Sequence, residues 1–441
     1  MDFDLIARSS LARMTPRSRP ENNMLAVIGD SRVAFGKDVD APTDCNHTVR
    51  GPQFWTAALT NARVRFPLEY DYSAAGSNTQ KLIEEQLVSV LSCPASGVVM
   101  LTGTNDITTT GRTLAQSLAA YRHIFRSLLA AGKLVFVFAE LPQTGSVRTT
   151  AQRGHLMAIR SYLKYTAPAE FSNVIVVDAW PDMADASVAT IGSRQTPLVM
   201  RENDHLHPGP CGAYFMGKAL ADAINAIYPS RDPLAHSSAD QWDASANPYG
   251  CINENPAMLG TGGTILAAGG GTMSGPVADS YYVQTASASD VTGDFSKTTS
   301  ADGQTTRQRL VLSGTPSSTN PEVILEQYGS TMLSRIAAGD ALELFAGVSC
   351  GTSTNLKGIM AQIRVRVDGT YHYAQAGTRD TGANYLPPEA WSGVLRTPRL
   401  TVPVGTLQEV RIGMYVSGYS GAPLAADIAF HNLTLRKVTG D

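Results

Sequence analysis

The chain has 441 residues, more than one ordinary hydrophobic core organises, so two domains are expected. Lys and Arg number 35 against 38 Asp and Glu, leaving no basic excess to neutralise phosphates, which argues against nucleic acid as the main partner. Hydrophobic residues make up 43% and charged residues 17%, a globular composition, and no apolar run approaches the roughly 18 residues of a membrane span.

The N-terminus, "MDFDLIARSSLARMTPRSRPENN", puts acids ahead of a very short apolar piece, which is not the pattern of a secretory signal. Residues 1–21 are expected to be a flexible leader or attachment segment. The protein is expected to be made in the cytoplasm, with action outside the cell or in a virion left open. From residue 22 to about 230, apolar strands alternate with helical patterns. "MLAVIGD", "LEYDYSAAG", "GVVMLTG", "KLVFVFAEL" and "NVIVVDAW" read as five strands, and their continuous Val, Ile, Leu and Phe runs suit a parallel sheet covered on both faces. "TLAQSLAAYRHIFRSLLAAGK" places Leu114, Leu118, Tyr121, Phe125 and Leu128 on one helical face, with Gly132 as its stop. "NTQKLIEEQLVSVL", "AQRGHLMAIRSYLKYT" and "GPCGAYFMGKALADAINAIY" read similarly. This order predicts an α/β domain over residues 22–230, a five-stranded doubly wound sheet whose site lies at the C-terminal strand ends.

Residues 231–260, rich in Pro, Ser, Asn and Asp, read as a linker. Over residues 261–441 the helical period vanishes, and nine or so short Val-, Tyr- and Thr-rich segments, from "SYYVQTA" to "IAFHNLTLRKV", predict an antiparallel, jelly-roll-like β-sandwich for glycan binding or assembly. Five cysteines, Cys45, Cys93, Cys211, Cys251 and Cys350, are widely spaced with no CxxC pair to suggest zinc, and their odd number leaves at least one thiol without an intrachain partner.

The polar residues of the first half fall at strand exits. Ser31 follows the first strand, Gly76 the second and "GTND" (103–106) the third, while "DHLHPG" (204–209) precedes the last helix. These types suit acyl transfer. A serine needs a base such as His207 to take its proton, an acid such as Asp204 fixes the imidazole tautomer, and a tetrahedral oxyanion needs preorganised donors. The Ser31 N–H, the Gly76 N–H and the Asn105 amide are the candidates. Each has a plainer reading: Ser31 as a helix cap, Gly76 as a tight turn, Asn105 as a turn residue. Asp106 is expected to cap the next element and Asp30 to hold the turn. Arg32 is expected to be a solvated helix residue, with contact to an acidic substrate as the alternative.

Taken together, the four blocks resemble the SGNH (GDSL) hydrolase superfamily, in its order along the chain. The resemblance covers roughly residues 22–228. It implies a flavodoxin-like sheet and a serine esterase with catalytic Ser31, Asp204 and His207, an oxyanion hole of Ser31, Gly76 and Asn105, and no cofactor or metal. Two departures stand out: Arg32 follows the serine where many members carry an apolar residue, and "SAAGSN" lacks the usual Gly-x-Ser-Gly form. A metal reading of Asp204, His205 and His207 is disfavoured because Asp204 and His207 already have metal-free roles. His47, His123, His155, His236, His372 and His431 stand alone and are read as structural.

A sandwich beside an esterase, without a large apolar insertion near the site, points to small-acyl removal from a polysaccharide. Trp391, Tyr371, Tyr373 and Tyr385 are candidate stacking faces, with core packing as the plainer reading. The expected function is therefore a carbohydrate O-acetylesterase acting on an acetylated polysaccharide, with no nucleic acid and no membrane insertion. The alternatives are a receptor-binding or adhesion protein on the same scaffold and a general esterase or thioesterase on small substrates. "NPAMLGTGGT" is similar to openings of bacteriophage tail appendages, which would suit homo-oligomer or virion assembly.

Overall fold

In a computed structural model the described residues are 20–38, 44–108, 111–143, 149–185, 199, 206–266, 268–299, 306–317, 321–379 and 384–438. They form two compact units: Met1–Lys37 with Arg50–Ser230, and Asp38–Val49 with Arg231–Asp441.

In the first unit four parallel strands lie in sequential order: β1 (Leu25–Gly29), β2 (Gly97–Leu101), β3 (Leu134–Phe138) and β4 (Val174–Val177). Alternate side chains feed two separate cores, as the strand period requires. Ala26, Ile28, Val98, Met100, Val135 and Val137 pack on one face with Leu82, Tyr121, Phe125 and Leu156. Leu25, Val27, Val99, Leu101, Phe136 and Phe138 pack on the other with Ala57, Met216, Leu220 and Ile224. Helix Leu114–Ala130 opens on a Thr113/Gln116 capping box. It closes with the Gly132 N–H on Leu129 O and the Lys133 N–H on Leu128 O, Gly132 taking φ +74°.

The expected fifth strand, "LEYDYSAAG", is absent as a ladder. Pro67 has no N–H to give, and Leu68–Tyr70 winds into a 3₁₀ turn. What remains along β1 is a pair of single parallel bridges, Met24 to Arg65 and Val27 to Asp71, extended by Ala74 N–H on Gly29 O at 3.1 Å.

The second unit is a β-sandwich of mainly antiparallel strands. One sheet runs Trp391–Arg396, Ala341–Cys350, Leu424–Lys437, Thr306–Gly314, Val291–Thr299, Thr272–Ser274. The other includes, in order, Asp44–Thr48, Thr370–Thr378, Gly358–Val367, Leu407–Ser417, Glu322–Tyr328, Val277–Ala286 and Gly262–Ile265. Asp44–Thr48 belongs to this unit although it falls within the 22–230 expected for the first. It pairs in parallel with Thr370–Thr378, Cys45 opposite Ala374 and Asn46 opposite Gln375. The chain leaves the first unit after Lys37 and returns at Arg50.

Residues 231–260 are not a loose linker but part of the second unit. Cys251 and Ile252 are fully buried. Arg436 donates to Pro233 O and Tyr249 O at 3.0 and 2.9 Å and pairs with Asp240, while Asn253 Nδ2 donates to Leu433 O at 3.0 Å. Polar, turn-rich composition here serves side chains that fasten irregular backbone to a strand. None of the five cysteines forms a disulfide within the chain.

Candidate active site

The first strand ends at Gly29, whose φ is +143°; a Cβ there would lie 2.1 Å from Leu101 O. Only glycine allows this approach of β1 to β2. Asp30 then turns the chain. Its N–H donates to Leu101 O at 3.0 Å, and its carboxylate accepts the Arg32 N–H at 3.0 Å as N-cap of the short helix Ser31–Ala34. Ser31 is thus the first helical residue rather than the cap. Helix geometry gives its N–H no intrahelical acceptor.

Ser31 Oγ and His207 Nε2 lie 2.7 Å apart, a hydrogen bond between residues 176 positions apart in sequence. The imidazole is flanked by Phe35, with ring centroids 4.9 Å apart, and Arg50 covers Phe35 at 5.1 Å. His207 is placed by the turn that starts helix Pro210–Asn225. Gly209 is its N-cap and donates to Val199 O at 3.0 Å, and Pro210 supplies a first turn that needs no N–H. That helix lies close on Pro52–Leu59, since a Cβ at Gly217 would come within 2.3 Å of Trp55 Cβ. Asp204 and His205 lie outside the described residues. Among the described residues no group of three or more His, Cys, Asp or Glu side chains is placed to hold a metal.

The other two blocks meet beside the turn that carries Ser31. Gly76 is exposed, with φ +76° and open space where a Cβ would stand. Next to it, Ser77 O accepts from Asn105 Nδ2 at 2.9 Å. Gln86 ties this loop to the end of β1. It accepts from Gly29 N–H at 2.8 Å and donates to Gly29 O and Ser77 Oγ, each at 3.0 Å. Asp106 caps not the element that follows it but one that begins 27 residues earlier, accepting from Thr79 N–H and Oγ1 at 2.7 and 2.6 Å.

Arg32 is the clearest departure from expectation. It is 1% exposed, so it is neither solvated nor available to a substrate. Its Nε and a terminal nitrogen grip Asp30 Oδ1 and Oδ2 at 3.0 and 2.7 Å, and its other terminal nitrogen reaches Glu140 Oε2 at 2.6 Å. Burial alone would lower its pKa, but the two carboxylates outweigh that and hold the guanidinium more basic than usual. Glu140, 108 positions away, was not singled out from the sequence. Its only signal is an acid two residues past an otherwise apolar strand. A Cβ on Gly103 would fall 2.4 Å from Glu140 Oε1 and 2.8 Å from Tyr121 Oη, and Tyr121 donates to Thr102 O at 2.5 Å. Burial, then Glu140 and Asp106, push the Tyr121 phenol well above its usual range.

In the second unit Trp391 is buried and offers no stacking face, whereas Tyr371 is exposed beneath Arg364 and Arg366. A cavity of about 470 Å³, unforeseen from the sequence, is lined by Trp242, Tyr249, Asp340 and Lys437 among others. Lys437 Nζ sits 5.2 Å over the Trp242 ring and 2.8 Å from Asp340.

The first unit is thus an α/β domain with a parallel sheet, and Ser31, at the exit of β1, is hydrogen-bonded to His207. Residues 27–213 match the GDSL-like Lipase/Acylhydrolase family model. No curated protein matches the chain. Among solved structures the chain is similar to a GDSL-like lipase from Bacteroides thetaiotaomicron, at 14% identity over 51% of this chain and 97% of the other, with a TM-score of 0.34. It is similar to a carbohydrate esterase of family 3 from Talaromyces cellulolyticus, at 17% identity over 46% and 96%, with a TM-score of 0.34. A third, an acetyl-xylooligosaccharide esterase mutant from Geobacillus, is 14% identical over 46% and 94%, with a TM-score of 0.37.

Proposed function

We propose that the first unit is a serine esterase that removes acetyl groups from a polysaccharide. The observation that carries the reading is the 2.7 Å hydrogen bond between Ser31 Oγ and His207 Nε2. His207 takes the serine proton as Oγ attacks the ester carbonyl. The oxyanion that forms is met by the Ser31 and Gly76 N–H groups and by the Asn105 amide, which its bond to Ser77 O already orients. His207 returns the proton to the leaving sugar oxygen, and the acetyl group stays on Ser31. Water, deprotonated by the same imidazole, then attacks the acyl carbon, and His207 passes that proton to Ser31 Oγ as acetate leaves. Asp204 is assigned to the far side of the ring, fixing its tautomer.

The polysaccharide part of the reading is supported by the second unit. A cavity with an aromatic pair and an ion pair offers stacking faces and directional hydrogen bonds, the two needs of a pyranose ring. The test is acetate release from a panel of acetylated bacterial and plant polysaccharides. Wild type is expected to release acetate, and Ser31→Ala at least about 10³-fold less. Release that persists in Ser31→Ala would overturn the assignment. Cleavage of p-nitrophenyl acetate through Ser31 with no polysaccharide turned over would keep the chemistry and discard the substrate.

A further inference from the structure

We infer that Arg32 is a positioning residue that holds the nucleophile and the oxyanion donor in register, through a buried clamp made with Asp30 and Glu140. The inference rests on the esterase reading. Two strand exits meet at this guanidinium, and a third packs against its partner Glu140. Asp30, at the exit of β1, is gripped through both carboxylate oxygens, and its Oδ1 also takes the Arg32 backbone N–H. Ser31, between them in the chain, is therefore carried on a closed ring of side chain and backbone. The third guanidinium nitrogen reaches Glu140 just past β3. The Glu140 carboxylate in turn fills the space beside Gly103, at the exit of β2, where no other residue would fit. Two residues on is Asn105. One rigid, planar cation thus ties the residue before the nucleophile to the residue against which the oxyanion block is seated.

The choice of arginine follows from this geometry. A lysine carries the same charge but is a single point donor on a flexible stem, and cannot grip Asp30 with two nitrogens while reaching Glu140 with a third. An apolar residue would leave two carboxylates buried without their cation. Both side chains of the Arg32–Asp30 pair, and that of Glu140, are completely shielded from solvent, so water cannot take over the contacts. The departure that Arg32 makes from the apolar residue of many GDSL-like sequences is thereby matched by a second acid at position 140.

The test is a double-mutant cycle on p-nitrophenyl acetate, run well below the melting temperature of each variant. Arg32→Lys is expected to lower kcat about 30-fold with KM within about two-fold of wild type, the size of effect a small misplacement of reacting groups produces. In an Asn105→Ala background the same change is expected to cost less than about three-fold, because the register it guards no longer matters. Glu140→Gln, which keeps the acceptor and the shape, is expected to restore most of the kcat that Glu140→Ala loses. A clamp that serves stability alone gives equal losses in both backgrounds, or lower melting temperatures with kcat intact, and either result overturns the inference. An inactive wild type would instead overturn the esterase reading, and the inference with it.

Discussion

At the scale of single residues, two glycines at the candidate site do opposite things. Gly29 has no room for a side chain, its would-be Cβ meeting backbone on β2. Gly29→Ala is expected to destabilise the protein by more than about 3 kcal/mol in urea titrations, since backbone cannot move aside cheaply. Gly76 has open space and a left-handed φ. Gly76→Ala is expected to cost only about 1–2 kcal/mol, the strain of that conformation, and, in the proposed esterase, to lower turnover because relief of the strain swings the N–H proposed to meet the oxyanion. The candidate residues the sequence singled out, Ser31, Gly76, Asn105 and His207, were marked by local signals, small and polar residues in the breaks between apolar runs, and the structure brings Ser31 and His207 within 2.7 Å. Arg32 was illegible because Glu140, the second of its two carboxylate partners, is 108 positions away and nothing beside it in the chain marks it as buried. His431 shows a second long-range effect. Burial, then Arg307 and His236, lower its pKa to about 4, with Asp232 opposing. The unfolded chain takes up this proton near pH 6.5 and the folded protein only near 4. Stability from this group is therefore complete above pH 6.5 and lost as the pH falls towards 4. A chemical-denaturation series is expected to show wild type losing about 1–3 kcal/mol more than His431→Gln over that interval.

At the scale of elements, periodicity located what is regular and missed what is fastened by side chains. The four strands of the first sheet and the helix Leu114–Ala130 follow directly from apolar spacing, whereas Pro67 defeats the fifth strand. "DCNHT" has neither alternation nor an apolar run, so its strand could be read only from its partner. Composition misled over 231–260, where Gly, Pro and Asn build irregular structure gripped by Arg436. Limited proteolysis should therefore spare residues 233–258 in wild type. Arg436→Ala, which removes the bonds to Pro233 O and Tyr249 O and the pair with Asp240, is expected to cost about 2 kcal/mol and to open that stretch to cleavage.

At the scale of the whole molecule, the chain passes between the units three times, after Lys37, Val49 and Ser230. Residues 22–230 produced alone would carry Asp44–Thr48 without its partner Thr370–Thr378, leaving an open edge that promotes aggregation. Replacing 38–49 by a short glycine link is expected to recover soluble protein in light scattering. The chain leaves and re-enters the first unit at adjacent points, a Cβ on Gly51 falling 2.1 Å from Gly36 Cα. Reductant is expected to leave the melting temperature unchanged, since no disulfide joins two cysteines of the chain and Cys93, Cys211, Cys251 and Cys350 are buried.

The inserted strand also sets a clock during synthesis. His47 O and its partner Thr378 are 331 positions apart. At the usual pace of translation, His47 is made roughly 17–66 s before Thr378 exists. For that interval the segment joining the Ser31 turn to the rest of its own unit waits on a nascent chain without Thr370–Thr378 to pair with. Whatever guards it on the ribosome, or fails to, decides how much protein reaches the finished state.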